Sequence, residues 1–117
     1  MQIVNKVWGH EEIIINTSDY CGKKLVLNKG FRCSIHWHKI KDETFYVIKG
    51  KVFLEIGDEK KILLPGDSIR IMPDTKHRFS GLEDSEIIEF STHDYSSDSY
   101  REEESGPIDL KTLELPK

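Results

Sequence analysis

Two histidines one residue apart, with a glutamate five residues further on, constrain this chain more than any other feature. The stretch reads Gly30-Phe31-Arg32-Cys33-Ser34-Ile35-His36-Trp37-His38-Lys39-Ile40-Lys41-Asp42-Glu43 and continues to Gly50. Its flanks have strand character. Side chains alternate faces along a strand, so His36 and His38 point the same way and Trp37 points away from them. A short turn over residues 39–42 brings the next strand back alongside and sets Glu43 near both imidazoles. Two imidazoles and a carboxylate meeting from adjacent strands supply three ligands of a divalent metal site. The fourth is expected from elsewhere in the chain, and His77 is the candidate.

The surroundings of His77 suit that role. Pro65-Gly66-Asp67 turns the chain, Ser68 to Met72 alternates, Pro73-Asp74-Thr75 breaks the run, and Lys76 to Ser80 resumes it. This reads as a hairpin that lies beside the first strand pair. Three nitrogen donors and one carboxylate suit one divalent transition ion (Zn²⁺, Mn²⁺, Fe²⁺, Ni²⁺ or Co²⁺) and leave room for water or substrate. A closed structural zinc site would draw on cysteines. Cys21 and Cys33 have neither zinc nor redox spacing and read as reduced, buried thiols of a cytoplasmic protein.

The rest of the chain carries the same strand-and-turn signature. Ile3 to Val7 reads as an edge strand, Trp8-Gly9-His10-Glu11 as a turn, Glu12 to Asn16 and Lys23 to Asn28 as strands, and Gly50 as the start of a hairpin. Ser85 to Thr92 is the last strong strand. About ten short strands separated by Gly, Pro and Asp turns, with no sustained helical period before Tyr95, predict an all-β sandwich or barrel. A length of 117 residues fits one domain. Residues 1–95 form the expected barrel. Residues 96–117 form a C-terminal arm, rich in Ser, Asp and Glu at its start, expected to pack on the barrel or on a second subunit, or to be partly disordered. A net charge of −4 without a basic run argues against nucleic acid as a partner. No apolar run is long enough for a membrane span, and the first residues lack the apolar stretch of a signal peptide.

The stretch from Gly30 resembles the first motif of the cupins, Gly-x5-His-x-His-x4-Glu-x6-Gly, at Gly30, His36, His38, Glu43 and Gly50. The stretch from Gly66 to His77 resembles the second motif, with Asp74 standing where the family usually has glycine. The resemblance spans roughly residues 24 to 92. It implies a single-domain cupin β-barrel, a jelly-roll-like double-stranded β-helix, with His36, His38, Glu43 and His77 as the metal ligands. A narrower likeness runs through Trp8-Gly9, Tyr20, Lys23-Lys24, Ser34, Pro65 to Ile69, His77-Arg78 and Ile87 to Phe90. These look like the type II mannose-6-phosphate isomerase cupins, which usually carry glutamine at the first ligand position, here His36. Sugar isomerases of the lyxose type share the three-histidine, one-glutamate set. The resemblance therefore implies an isomerase of a small sugar or sugar phosphate, working by metal polarisation and proton transfer. An iron-dependent dioxygenase and a non-catalytic small-ligand-binding cupin are the alternatives.

The remaining candidates follow from strand alternation and from that likeness. Glu89 interrupts the apolar run Ile87-Ile88-Phe90; if it faces inward it is placed to act as a general base. Ser91 and His93 share its alternation, making Ser91 a substrate contact and His93 a second proton-transfer candidate. Lys24, Arg32, Arg70 and Arg78 alternate with apolar residues. They form a solvated outer face or, turned inward, hold a phosphate or carboxylate; Lys24 and Arg70 are the substrate-binding candidates among them. By resemblance, Arg101 closes the site from the arm. Exposed sheet edges favour pairing of chains, so a homodimer is expected.

Overall fold

Along Cys21–Leu27 every second residue is buried, and the same period of two opens Glu43–Lys49 and Ser85–Ser91. Such alternation marks strands with one face on a core and one on solvent. The computed structural model describes residues 1–116 and is built from strands joined by turns and loops. The strands are β1 (Gln2–Lys6), β2 (Gly9–Asn16), β3 (Cys21–Leu27), β4 (Phe31–Arg32), β5 (Ile35–Trp37), β6 (Glu43–Lys49) and β7 (Val52–Ile56). They continue with β8 (Glu59–Leu63), β9 (Ser68–Ile71), β10 (His77–Gly81), β11 (Ser85–Ser91), β12 (Tyr100–Glu103) and β13 (Gly106–Pro107). No helix among the described residues is long and apolar enough to cross a membrane.

Two antiparallel sheets result. The first runs β1-β2-β3-β11-β6-β9. In the second, β10 pairs on one side with β5 and β4 and on the other with β7, which pairs in turn with β8; β12 and β13 extend it beyond β5 and β4. Between the sheets lies one apolar cluster that includes Leu25, Leu27, Phe45, Val47 and Ile87 from the first sheet and Val52, Leu54 and Phe79 from the second. Each such side chain contributes about 1.5–3 kcal/mol on burial. The architecture is the all-β barrel expected from the sequence.

The inward faces of three central strands change character along their length. Leu27 and Leu25 give way to Lys23 on β3, Val47 and Phe45 to Glu43 on β6, and Ile87 to Glu89 on β11, all of them buried. The register brings Glu89 opposite both Lys23 and Phe45. One end of the barrel is therefore filled with hydrocarbon, and the other is lined with charge. The site sits at the charged end because charged groups cannot share the apolar packing.

One turn differs in detail from what the sequence suggests, and a second shows why its glycine is there. Trp8 to Glu11 is not all turn, because β2 already starts at Gly9. A Cβ at Gly9 would lie 1.9 Å from the carbonyl oxygen of Val26, so only glycine lets β2 approach β3 there. Gly50 has φ +92, and a Cβ on it would meet Ser85 Oγ at 2.2 Å, which accounts for glycine at the end of the first motif. After Thr92 the chain returns to the barrel wall: β12 pairs with β5 and β13 with β4.

Candidate metal centre

His36 lies in the middle of β5, His38 just beyond its end, and Glu43 and His77 are the first residues of β6 and β10. The pairing of His77 with His36 sets their rings side by side, with centroids 4.2 Å apart. One ligand atom from each of His36, His38, Glu43 and His77 falls within 4.8 Å of all the others. The turn before His77 helps to hold this arrangement. Asp74 adopts φ 63, and its N–H donates to the carbonyl of His38 at 2.7 Å. Aspartate is among the few non-glycine residues that enter this region at modest cost, so it can stand where the resemblance noted above implies a glycine.

Hydrogen bonding prepares the cluster for a cation. The Nδ1 of His36 faces Ser34 O at 2.8 Å, that of His38 faces Asp98 O at 2.6 Å, and that of His77 faces Thr75 O at 2.8 Å. A carbonyl accepts only from N–H, so each ring is donor at Nδ1 and presents a lone pair at Nε2. Burial first, and then the neighbouring His77, lower the His36 pKa to about 3; burial and Lys41 lower that of His38. Burial alone would raise the Glu43 carboxyl, but positive charge on its His77 side and the Lys41 ammonium hold it low and ionised. His77 Nε2 and Glu43 Oε1 lie 3.0 Å apart, yet both are buried atoms without a hydrogen-bond partner. Acceptors this close need a positive charge between them. A proton on one ring would serve one contact, whereas a divalent ion serves all four groups, and the donor set fits one.

Lys41 is the group that the sequence reading missed. Its Nζ lies 3.2 Å from Glu43 Oε2, 3.2 Å from Glu89 Oε2 and 3.2 Å from Asp94 Oδ1. An ammonium has three donors, and all three have a carboxylate to meet. Burial alone would favour the neutral amine, but Glu89, Glu43 and Asp94 outweigh it and raise the Lys41 pKa. Lys23 adds a second bridge, 2.7 Å from Asp94 Oδ2 and 3.5 Å from Glu11 Oε1. Burial, and then the charge of Glu43, push the Glu89 carboxyl up against the pull of Lys41 and Lys23. Leu25 and Leu27 are in phase with Lys23, so strand alternation carried the signal for that residue. Lys41 sits in a turn, where alternation says nothing.

A cavity of about 500 Å³ opens over this cluster, lined among others by His36, His38, Lys41, Glu43, Glu89 and Arg101. Glu89 thus faces inward, and Ser91 Oγ donates to its Oε2 at 2.9 Å. Ser91 itself is not among the lining residues; it touches the cavity through Glu89. Three expectations need correction. His93 lies beyond the end of β11, where alternation stops; its Nδ1 bonds Thr17 O at 2.6 Å and its ring packs against Tyr95. Lys24 is out of phase with Leu25 and pairs with Glu86 on the outer face. Arg70, out of phase with Ile69 and Ile71, likewise points outward and forks onto Asp42 at 2.6 and 3.1 Å.

Residues 24–91 match the model of the Cupin domain family. The chain belongs to the cupins. Among proteins to which this cupin is similar is the D-lyxose/D-mannose isomerase of Thermosediminibacter oceani, 33% identical over 109 residues, which cover 69% of this chain and 60% of that protein. The D-lyxose ketol-isomerase of Cohnella laeviribosi is 33% identical over 106 residues, covering 67% of this chain and 58% of that protein. The cupin therefore spans about 60% of the length of these two relatives. Among solved structures, KdgF from Halomonas sp. superposes with a TM-score of 0.71 at 27% identity, covering 75% of this chain and 81% of that one.

Proposed function

We propose that this cupin is a metal-dependent isomerase that interconverts the aldose and ketose forms of a small sugar or sugar phosphate. Glu89 carries the reading. It is a carboxylate only 3% exposed, it stands outside the four-residue cluster, and it faces the same cavity. A site that merely holds a ligand needs no such group, whereas an isomerase needs a proton acceptor beside its ion. The raised pKa of Glu89 brings the carboxyl closer to the range in which it can both accept and return a proton. The names of the two relatives support a sugar as the substrate class.

A divalent ion held by His36, His38, Glu43 and His77 would polarise the sugar oxygens and acidify the adjacent C–H. The remaining work falls to the chain's own side chains. Lys41 and Ser91 both bond Glu89 Oε2, which orients the carboxylate and leaves Oε1 for the substrate. Glu89 takes the proton from C2 of the aldose and returns it to C1, while the O2 hydroxyl proton passes to O1, so that the ketose forms with no net gain or loss of protons. Trp8, Leu25, Phe45 and Phe79 form the apolar part of the cavity wall and keep water from that side. Arg101, in β12 and among the residues lining the cavity, binds a substrate hydroxyl or phosphate.

The test is incubation of the protein, loaded in turn with Zn²⁺, Mn²⁺, Ni²⁺ or Co²⁺, with a panel of free and phosphorylated aldoses in D₂O under argon. Ketose formation with deuterium at C1 is expected. Absence of turnover on every sugar would overturn the reading, as would a parallel incubation of the Fe²⁺-loaded protein in air that consumes oxygen where the argon samples show no turnover. We also infer a homodimer. The outer face of the first sheet exposes Ile15, Tyr46, Ile48 and Phe90, and β1 is an open edge. Two free, buried thiols suit a reducing compartment, and we place the protein in the cytoplasm.

A further inference from the structure

The turn between His38 and Glu43 is held from outside, by one residue of the C-terminal arm. Asp98 is 4% exposed. Its Oδ1 accepts the N–H of Lys39 at 2.8 Å and of Ile40 at 3.3 Å; its Oδ2 accepts those of Ile40 at 3.1 Å and Lys41 at 3.0 Å. Three successive amides thus close around one carboxylate, an arrangement that otherwise makes an anion site. The backbone carbonyl of the same residue accepts from Nδ1 of His38 at 2.6 Å.

Asp98 therefore touches the cluster twice. Through its carbonyl it sets which nitrogen of His38 is bare. Through its carboxylate it fixes the backbone that carries Lys41, whose ammonium holds Glu43 Oε2 and Glu89 Oε2. On either side of Asp98 the chain is anchored to the barrel. Before it, Asp94 Oδ2 accepts from Lys23 Nζ at 2.7 Å and Asp94 N–H donates to Asn16 Oδ1 at 3.0 Å; after it, Tyr100 pairs with Trp37, their rings stacked at 5.7 Å. If the arm left, three successive amides, that of Lys41 buried, and one ligand histidine would lose their partners together.

We infer that Asp98 is a positioning residue of the metal centre, so that docking of the arm on the barrel and binding of a divalent ion favour one another. The inference rests on the reading of His36, His38, Glu43 and His77 as ligands. Linkage is reciprocal: an arm that holds the ligands in place raises the affinity for the ion, and the ion holds the arm to the same degree.

Two measurements on the full chain test it, neither of which reads activity. The first is Zn²⁺ affinity by competition with a chromophoric chelator, with the visible spectrum of the Co²⁺-saturated protein as a report on ligand geometry. Asp98→Ala should weaken Zn²⁺ binding by about 10–100-fold, the usual effect of removing a group that orients a ligand. It should also shift the Co²⁺ spectrum at saturation, which a loss of stability alone would not do. Glu102→Ala, on the same arm but paired only with the exposed Lys76, should change neither. The second measurement uses the wild type alone: tryptic cleavage after Arg101 should slow when Zn²⁺ is added, and it stays decisive if Asp98→Ala does not fold. Equal affinity and an equal spectrum for Asp98→Ala, or a cleavage rate indifferent to Zn²⁺, overturn the inference while the ligand assignment stands. A wild-type protein that binds no divalent ion overturns the ligand assignment itself.

Discussion

His77 turns Nε2 to within 3.0 Å of Glu43 Oε1, while Nδ1 of the same ring is committed to the carbonyl of Thr75. A bare lone pair facing a carboxylate oxygen inside a barrel is held in place against its own repulsion, and a cation relieves it. The expectation is one divalent ion per chain, measured by elemental analysis after metal loading and desalting. At a free ion concentration a hundredfold above Kd the ion should add about 2.7 kcal/mol to stability, read as a rise in Tm that EDTA reverses. His77→Ala should lose both the ion and the Tm rise. A chain whose Tm ignores every divalent ion would refute this expectation.

Alternation along the last strand offers Glu89 as the general base and His93 as a second candidate, and their surroundings differ: Glu89 lines the cavity and His93 does not. Glu89→Gln should lower kcat by about 10²–10⁴-fold if the carboxylate moves the proton, with metal content unchanged. His93→Ala should stay within a few-fold of wild type, because its ring is bonded to Thr17 O and does not line the cavity. Steady-state kinetics on whichever sugar turns over decides the matter. Comparable losses in the two variants would contradict the placement of the base.

Asp74 holds a positive φ and hands its N–H to the carbonyl of His38. A β-branched residue is poorly suited to that conformation. Asp74→Val should therefore destabilise the metal-free protein by about 1–2 kcal/mol, whereas Asp74→Gly should stay within about 1 kcal/mol of wild type. Urea unfolding in EDTA measures both. Equal loss in the two variants would mean that the aspartate side chain, not the backbone angle, matters there.

How much of this was legible in the sequence varies with the physical rule that governs each residue. Strand periodicity gave the all-β class, and spacing brought His36, His38, Glu43 and His77 together, because the period of two is strict and the turns are short. Applied consistently, the same rule would have found Lys23 and dismissed Lys24, since Leu25 and Leu27 fix the buried phase of β3. It would likewise have dismissed Arg70, which sits between Ile69 and Ile71. Lys41 and Asp98 were out of its reach. One lies in a turn and the other in a Ser- and Asp-rich segment, and neither place has a period to read. They meet only through contacts separated by more than fifty positions in the chain.

Cys33 lines the cavity wall near the cluster, and its Sγ accepts the N–H of Phe79 at 3.3 Å. A thiol beside a candidate metal centre and a cavity invites the expectation of reactivity, but its surroundings argue the opposite. Burial pushes the Cys33 thiol up to about 12, and burial with the neighbouring Glu89 also raises that of Cys21. Only the thiolate attacks thiol reagents, and a raised pKa keeps each group in the inert form at pH 8. The native protein at pH 8 should therefore consume almost no Ellman's reagent over minutes, and the same sample in guanidinium should consume two equivalents. Slow native labelling should follow the opening of the barrel and slow further when a divalent ion is bound. Fast uptake of one equivalent by the native chain would show instead that the cavity wall at Cys33 or the strand end at Cys21 is open to solvent.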